Sequence, residues 1–159
     1  GCVAIAFALK RRGWTVCGVD LSPEAVGVAR RNALRVGLES GIEFVIGDLF
    51  AALPAVTPVN LVTANPPYIP TEVIPTLDIG IREFEPRLAL DGGPDGLVVT
   101  RRIVSDAVGR LALDGVLALE IGYDQGPVVA ELMRAAGYAD VQLRRDYGGH
   151  DRVVSGRRG

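Results

Sequence analysis

The chain has 159 residues, of which 48% are hydrophobic, with a net charge of −2 and an isoelectric point near 5.4. That is enough apolar material for one domain with a core, and the acidic balance is not the footprint of a protein that lives on nucleic acid. Cys2 and Cys17 lack CxxC spacing, which argues against a disulfide framework or a zinc site. With no signal peptide and no apolar run long enough to span a bilayer, a cytoplasmic location follows by default.

The chain opens on an apolar run, Gly1 to Leu9, that turns basic at Lys10, Arg11 and Arg12 and stops at Gly13. This predicts a buried helix with cations in its last turn and a glycine stop. Residues 15–20 form a short apolar strand ending in Asp20. Ser22, Pro23 and Glu24 then open a helix, with serine at the N-cap, proline at N1 and an acid in the first turn. Val26, Ala29, Ala33 and Val36 give it one apolar face, and Gly37 ends it. Residues 42–47 read as another strand, with Asp48 just past its end.

Residues 60–64 predict a buried strand, and an irregular segment runs from Pro66 to Pro94. Loops this long tend to be functional lids or disordered, although the mixture in Glu83 to Arg87 suggests an ordered surface. A helix is expected over 95–113, with Val98, Ile103, Ala107 and Leu111 on its inner side. A buried strand follows at 115–121, a helix at 127–136 closed by Gly137, a strand at 141–145 and a final edge strand at 152–156. His150 reads as a loop residue with no partner at ligand spacing, and no metal is expected. The late arginines, Arg144, Arg145, Arg152, Arg157 and Arg158, read as a solvated surface.

The alternation of strands and helices predicts an α/β fold, a doubly wound, mostly parallel sheet, as one domain over residues 1–159. The loop from Asp146 to Asp151 is too short for a crossover helix, so the last two strands should pair antiparallel.

The chemistry concentrates at Asn65, Pro66, Pro67 and Tyr68, directly after the strand at 60–64. Ligands of open α/β sheets bind at the carboxyl ends of strands. Asn65 carries a carbonyl acceptor. The two prolines fix φ and lack N–H groups, leaving the Pro66 carbonyl free to accept. Tyr68 adds a flat ring with a polar tip. Two fixed acceptors beside a ring face suit a planar amino group, holding both N–H bonds and aiming the nitrogen lone pair outward. Orienting a weak nucleophile in this way turns a slow encounter into a unimolecular step. Asn-Pro is also an ordinary turn former, so the tetrapeptide alone leaves a structural role open.

Asp20, Asp48 and Asn65 each follow a strand, and parallel strands would bring them to one sheet edge. An acid after the earlier strand suits a ribose hydroxyl pair, and Asp48 suits an adenine amino group. Each acid alone is equally a helix cap.

Taken together these motifs resemble a class I S-adenosylmethionine-dependent methyltransferase, and closely the HemK/PrmC family of protein-glutamine N5-methyltransferases. The residues that carry the resemblance are Val19-Asp20 with Pro23 to Ala25 and Asn32, Gly47 to Phe50, and Asn65 to Ile69. Phe84 to Arg87, Ala89 to Gly93 with Asp95 to Leu97, and Arg145 to Gly148 with Asp151 to Val154 complete it. Asn-Pro-Pro-Tyr is shared with amino-directed nucleic-acid methyltransferases, whereas Phe-Glu-Pro-Arg and Asp-Arg-Val-Val are more particular. The resemblance implies S-adenosyl-L-methionine as cofactor, contacted by Gly1 as the last glycine of the cofactor loop, Asp20, Asp48, Leu49 and Asn65. It implies Asn65, Pro66 and Tyr68 as catalytic residues, with Pro67 beside them on the substrate glutamine and Glu85 and Arg82 at its entrance. The implied partner is a peptide-chain release factor, methylated at a Gly-Gly-Gln glutamine by a monomeric enzyme. The family's first strand, most of its glycine loop and its N-terminal helical domain would precede Gly1, so a chain shortened at its N-terminus is implied.

Two rivals stand beside this reading. An adenine-N6 nucleic-acid methyltransferase would need base flipping and a positive groove. A methyltransferase-fold fragment without turnover would share the motifs.

Overall fold

A computed structural model describes residues 1–54 and 58–159. The chain divides into two compact units, Gly1–Ala55 and Val56–Gly159.

In the first unit, helix α1 (Cys2–Lys10) precedes strand β1 (Val16–Asp20), helix α2 (Pro23–Arg35) and strand β2 (Ile42–Ile46). β1 and β2 pair in parallel, Val16 opposite Ile42 and Asp20 opposite Ile46, so β1-α2-β2 is one crossover unit. The helix start is as expected: Pro23 is at N1 and the Ser22 hydroxyl accepts from the Ala25 N–H at 3.1 Å. Val26, Ala29 and Ala33 of α2 pack with Phe44 of β2 as the core, flanked by Ala4, Ile5, Leu38 and Ile42. Full burial of side chains such as Val26 and Phe44 stabilises by roughly 1.5–3 kcal/mol each. Val36, expected on that face, lies past the helix and is exposed. The expectation of a buried α1 also needs correction. Only Ala8 is buried, because the run is apolar all round and a two-stranded sheet is too narrow to cover more than one side.

The second unit contains strand β3 (Val59–Ala64), helices α3 (Ile79–Phe84), α4 (Arg87–Leu90) and α5 (Val98–Val108), strand β4 (Leu111–Glu120), helix α6 (Gly126–Ala135), and strands β5 (Tyr138–Arg145) and β6 (Asp151–Arg158). The sheet order is β3-β4-β6-β5. β3 and β4 are parallel, and β6 is antiparallel to both neighbours. The antiparallel terminal pair is therefore as expected, but β6 is an interior strand and β5 takes the edge. The short Asp146–Asp151 turn folds β6 back along β5, which places it between β5 and β4.

Leu117 and Leu119 of β4 lie opposite Gly156 and Val154 of β6, and all four are buried. A Cβ on Gly156 would stand 2.9 Å from the Met133 methyl of α6, so this glycine lets the helix sit close to the sheet. Val129, Ala130 and Met133 are buried there.

The α5 helix ends earlier than predicted. Leu111 is buried as the first residue of β4, and Val98 is exposed while Thr100 and Val104 turn inward beside Ile103 and Ala107. Gly109 is the C-cap of α5, but the apolar pattern resumes two residues later at Leu111, so helix and strand periods run together.

Of the late arginines, Arg144 and Arg145 are exposed as expected, whereas Arg152, Arg157 and Arg158 are structural ties. Arg152 donates to the Asp146 carboxylate at 3.2 Å and to the Ile121 carbonyl at 3.0 Å. Arg157 bonds Asp140 at 3.0 Å and also Asp114, and Arg158 donates to the Leu111 carbonyl. Asp114 and Asp140 both have positive φ, +62° and +51°, next to irregular stretches of β4 and β5. Arg157 in the strand between them thus grips an irregular residue on each side.

Candidate active site

Within the first unit, Asp20 closes β1 and Asp48 stands two residues beyond β2, so parallel pairing brings both to the carboxyl end of one sheet. Asp20 is exposed, and one of its oxygens accepts from the Ser22 N–H at 2.9 Å. Its second oxygen takes no hydrogen bond among the described residues. Asp48 opens a single 3₁₀ turn, Leu49–Ala52, and Leu49 has φ of +49°, an uncommon conformation for a branched side chain. A cavity of about 40 Å³ lies under this edge, lined by Gly1, Gly18, Asp20, Ala25, Ala29 and Phe44. Gly1 has no room for a side chain: a Cβ there would fall 2.5 Å from the Ala29 methyl.

Within the second unit, β3 delivers Asn65 at its carboxyl end. Asn65 is exposed, Pro66 is buried, and Pro67 and Tyr68 are half-buried. Neither the Asn65 carboxamide nor the Pro66 carbonyl takes a hydrogen bond among the described residues. The chain just behind them is tied on both sides. The Tyr68 carbonyl accepts from Gln125 Nε2 at 2.9 Å. Ile69 donates to the Leu90 carbonyl at 3.0 Å and accepts from the Gly92 N–H at 2.9 Å, and Thr71 donates to the Gly93 carbonyl at 3.0 Å. These bonds make a short parallel bridge between Ile69 and Asp91. The segment from Pro66 to Pro94 is therefore not irregular throughout: its first residues are zipped to residues 90–93, and α3 and α4 lie between.

Gly96 shows why the Asp-Gly-Leu turn sits there. Its φ is +72°, and a Cβ would stand 2.3 Å from the Tyr68 carbonyl oxygen. Only glycine permits that approach.

Asp91 holds the far side of the bridge. Its carboxylate accepts from Thr71 Oγ1 at 2.6 Å, from the Gly93 N–H at 3.0 Å and from Arg87 Nε at 3.3 Å. The Thr71 hydroxyl first, then the Gly93 amide and Arg87, hold this carboxyl below the usual range.

Glu85 is exposed at the C-cap of α3 and its side chain makes no hydrogen bond or ion pair among the described residues. Arg82 is turned back along its own segment, donating to the Pro75 carbonyl and the Glu83 carboxylate, both at 3.1 Å. The structure thus groups Gly1, Asp20, Asp48 and Leu49 in one unit and Asn65 to Tyr68 in the other, with Glu85 on α3. Sequence reasoning did not single out Gln125 or Thr71, and it quoted Asp91 and Gly96 only within motifs, without a role for either. The available signal was a polar residue, Gln125, inside Gly122 to Pro127 at the end of the buried β4 run, where a solvated turn is the ordinary reading.

Comparison with solved structures places the fold. The chain superposes on a methyltransferase from Pyrococcus furiosus with a TM-score of 0.69 at 18% identity, over 97% of this chain and 68% of that one. An RNA methyltransferase from Salinibacter ruber, solved in complex with S-adenosyl-L-homocysteine, gives a TM-score of 0.61 at 17% identity, over 99% and 74%. The fold is that of the class I methyltransferases. No protein-family model matches the chain. Its sequence is 44% identical over 156 residues to the release factor glutamine methyltransferase of Caulobacter vibrioides, covering 98% of this chain and 54% of that protein. The resemblance read from the motifs is thereby borne out: homologues over nearly the whole chain are named release factor glutamine methyltransferase. The chain spans about half the length of the curated relatives it matches. Among the described residues no helix is long and apolar enough to cross a membrane.

Proposed function

We infer that this chain carries the catalytic machinery for methyl transfer from S-adenosyl-L-methionine to the side-chain amide nitrogen of a glutamine in a peptide-chain release factor. The observation that carries the reading is the state of Asn65 and Pro66. Two acceptors stand at a strand end with no partner among the described residues, on a segment whose following residues are hydrogen-bonded on both sides. Such acceptors match the two N–H bonds of a carboxamide.

The amide nitrogen is a poor nucleophile because its lone pair is delocalised into the carbonyl. Asn65 Oδ1 and the Pro66 carbonyl would each accept one N–H, fix the nitrogen plane and favour the positive charge that builds on nitrogen during attack. Pro67 keeps the backbone extended, and the Tyr68 ring supports one face of the amide. Asp20, with one oxygen committed to Ser22 and the other unbonded among the described residues, suits a ribose hydroxyl; Asp48 and Leu49 suit the adenine, and Gly1 lines the cavity beside Asp20. When bound, the cofactor supplies an electrophilic methyl carbon on a sulfonium. On this reading Asn65 would hold the amide, and Glu85 would stand at the peptide entrance. We expect the enzyme to act as a cytoplasmic monomer, directly on protein and not on nucleic acid.

Incubation of the full chain with labelled cofactor, release factor and an adenine-containing oligonucleotide, read by mass spectrometry, tests this. Label on the Gly-Gly-Gln glutamine is the expected result. Label on adenine alone, or none on either, overturns it.

A further inference from the structure

Gln125 is one of the few buried polar side chains among the described residues, with 7% of its surface exposed. It stands just after β4, before α6, and is 57 residues from Tyr68 in sequence. Its carboxamide orientation is dictated by its neighbours. Oε1 accepts from the Gly122 N–H at 3.0 Å, while Nε2 faces two carbonyls, Tyr68 at 2.9 Å and Gly96 at 3.3 Å. One donor and two acceptors admit only one assignment of an amide's oxygen and nitrogen.

We propose that Gln125 is a positioning residue for methyl transfer, its buried carboxamide fixing the Tyr68 carbonyl and with it the direction in which the Asn65 and Pro66 acceptors face. This rests on the function inferred above. The geometry supports it because the bridge joins three separate pieces of chain at one point: the β4 end, the Gly96 turn and the segment that follows Asn65. Pro66 and Pro67 have few rotations to absorb a shift, so displacement of the Tyr68 carbonyl passes directly to Pro66 and Asn65. A glutamate here would keep the Gly122 bond but set an acceptor against two carbonyl oxygens. A methionine of similar length would fill the space with neither donor nor acceptor.

The test uses Gln125→Glu and Gln125→Met in the full chain. We measure kcat and KM for the peptide, Kd for S-adenosylmethionine, the unfolding midpoint, and hydrogen exchange over residues 65–71 and 92–97. The expected result is a kcat lower by on the order of a hundredfold, the scale of a 1 Å misplacement. Cofactor Kd should stay within about twofold, and exchange should rise in those two segments alone. Wild-type kcat with unchanged exchange over 65–71 overturns the proposal in either variant. So does a loss of kcat, cofactor affinity and global protection together, which marks a purely structural residue. The exchange pattern tests the tie even in a chain that methylates no glutamine, so the two readings fail separately.

Discussion

The hydroxyl of Thr71 donates to the carboxylate of Asp91 at 2.6 Å and closes the loop that backs Asn65 to Tyr68. Two backbone bonds between Ile69 and residues 90–92 run alongside it, so the side-chain pair seals a bridge that the main chain starts. A cluster of otherwise plain turn residues, Asp91 to Leu97, thereby becomes the platform for the acceptors.

That pair predicts an acid limb. The Asp91 carboxyl is held below its ordinary value, chiefly by Thr71, so its contribution to stability is fully present above the unfolded carboxyl pKa, about 3.9. It is lost as pH falls through the depressed folded value. Thermal unfolding from pH 6 downward should show a steeper loss for the wild-type chain than for Asp91→Asn. Identical profiles would remove Asp91 from the account.

Separate roles for the two units predict separable losses. Asn65→Ala should lower kcat by on the order of a hundredfold and leave cofactor affinity nearly intact, since it removes an acceptor used in the reaction step. Asp20→Ala should weaken cofactor binding first. Calorimetry and single-turnover rates on both variants decide it; equal effects on cofactor affinity contradict the assignment.

Gly96→Ala should be costly for a residue on a turn. The added methyl meets the Tyr68 carbonyl and must also adopt positive φ, a combination expected to destabilise by roughly 1–3 kcal/mol. Urea titration measures it, and a midpoint like that of wild type would mean that the turn yields freely.

Tyr138 predicts an alkaline limb. Its hydroxyl donates to the Val104 carbonyl at 3.0 Å, and burial pushes its pKa up to about 12. Because the folded value lies above the unfolded one, about 10, this contribution is complete below pH 10 and disappears as pH rises towards 12. Tyr138→Phe should flatten that limb and cost about 0.5–1.5 kcal/mol at neutral pH. Stability curves at pH 8 and 11 provide the comparison.

Local chemistry settled most of the first half of the chain in advance. Ser22 and Pro23 mark the start of α2 whatever surrounds them, because a capping oxygen and a fixed φ act over three or four residues. The strand ends at Asp20 and Ala64, and the acceptor-rich Asn65 to Tyr68, follow from runs whose period is equally local. The antiparallel final pair followed from loop length alone. Tertiary structure decided what depends on distant partners. Arg157 reads as a surface cation until β6 is placed between β4 and β5, where Asp114 and Asp140 flank it. Helix α1 reads as buried until the width of its sheet is known. Gln125 and Gly96 show no role in their own neighbourhoods, since each acquires its meaning from a carbonyl at Tyr68. Periodicity and capping are short-range and can be read along the chain, whereas a hydrogen bond across 57 residues exists only once the fold has brought its ends together.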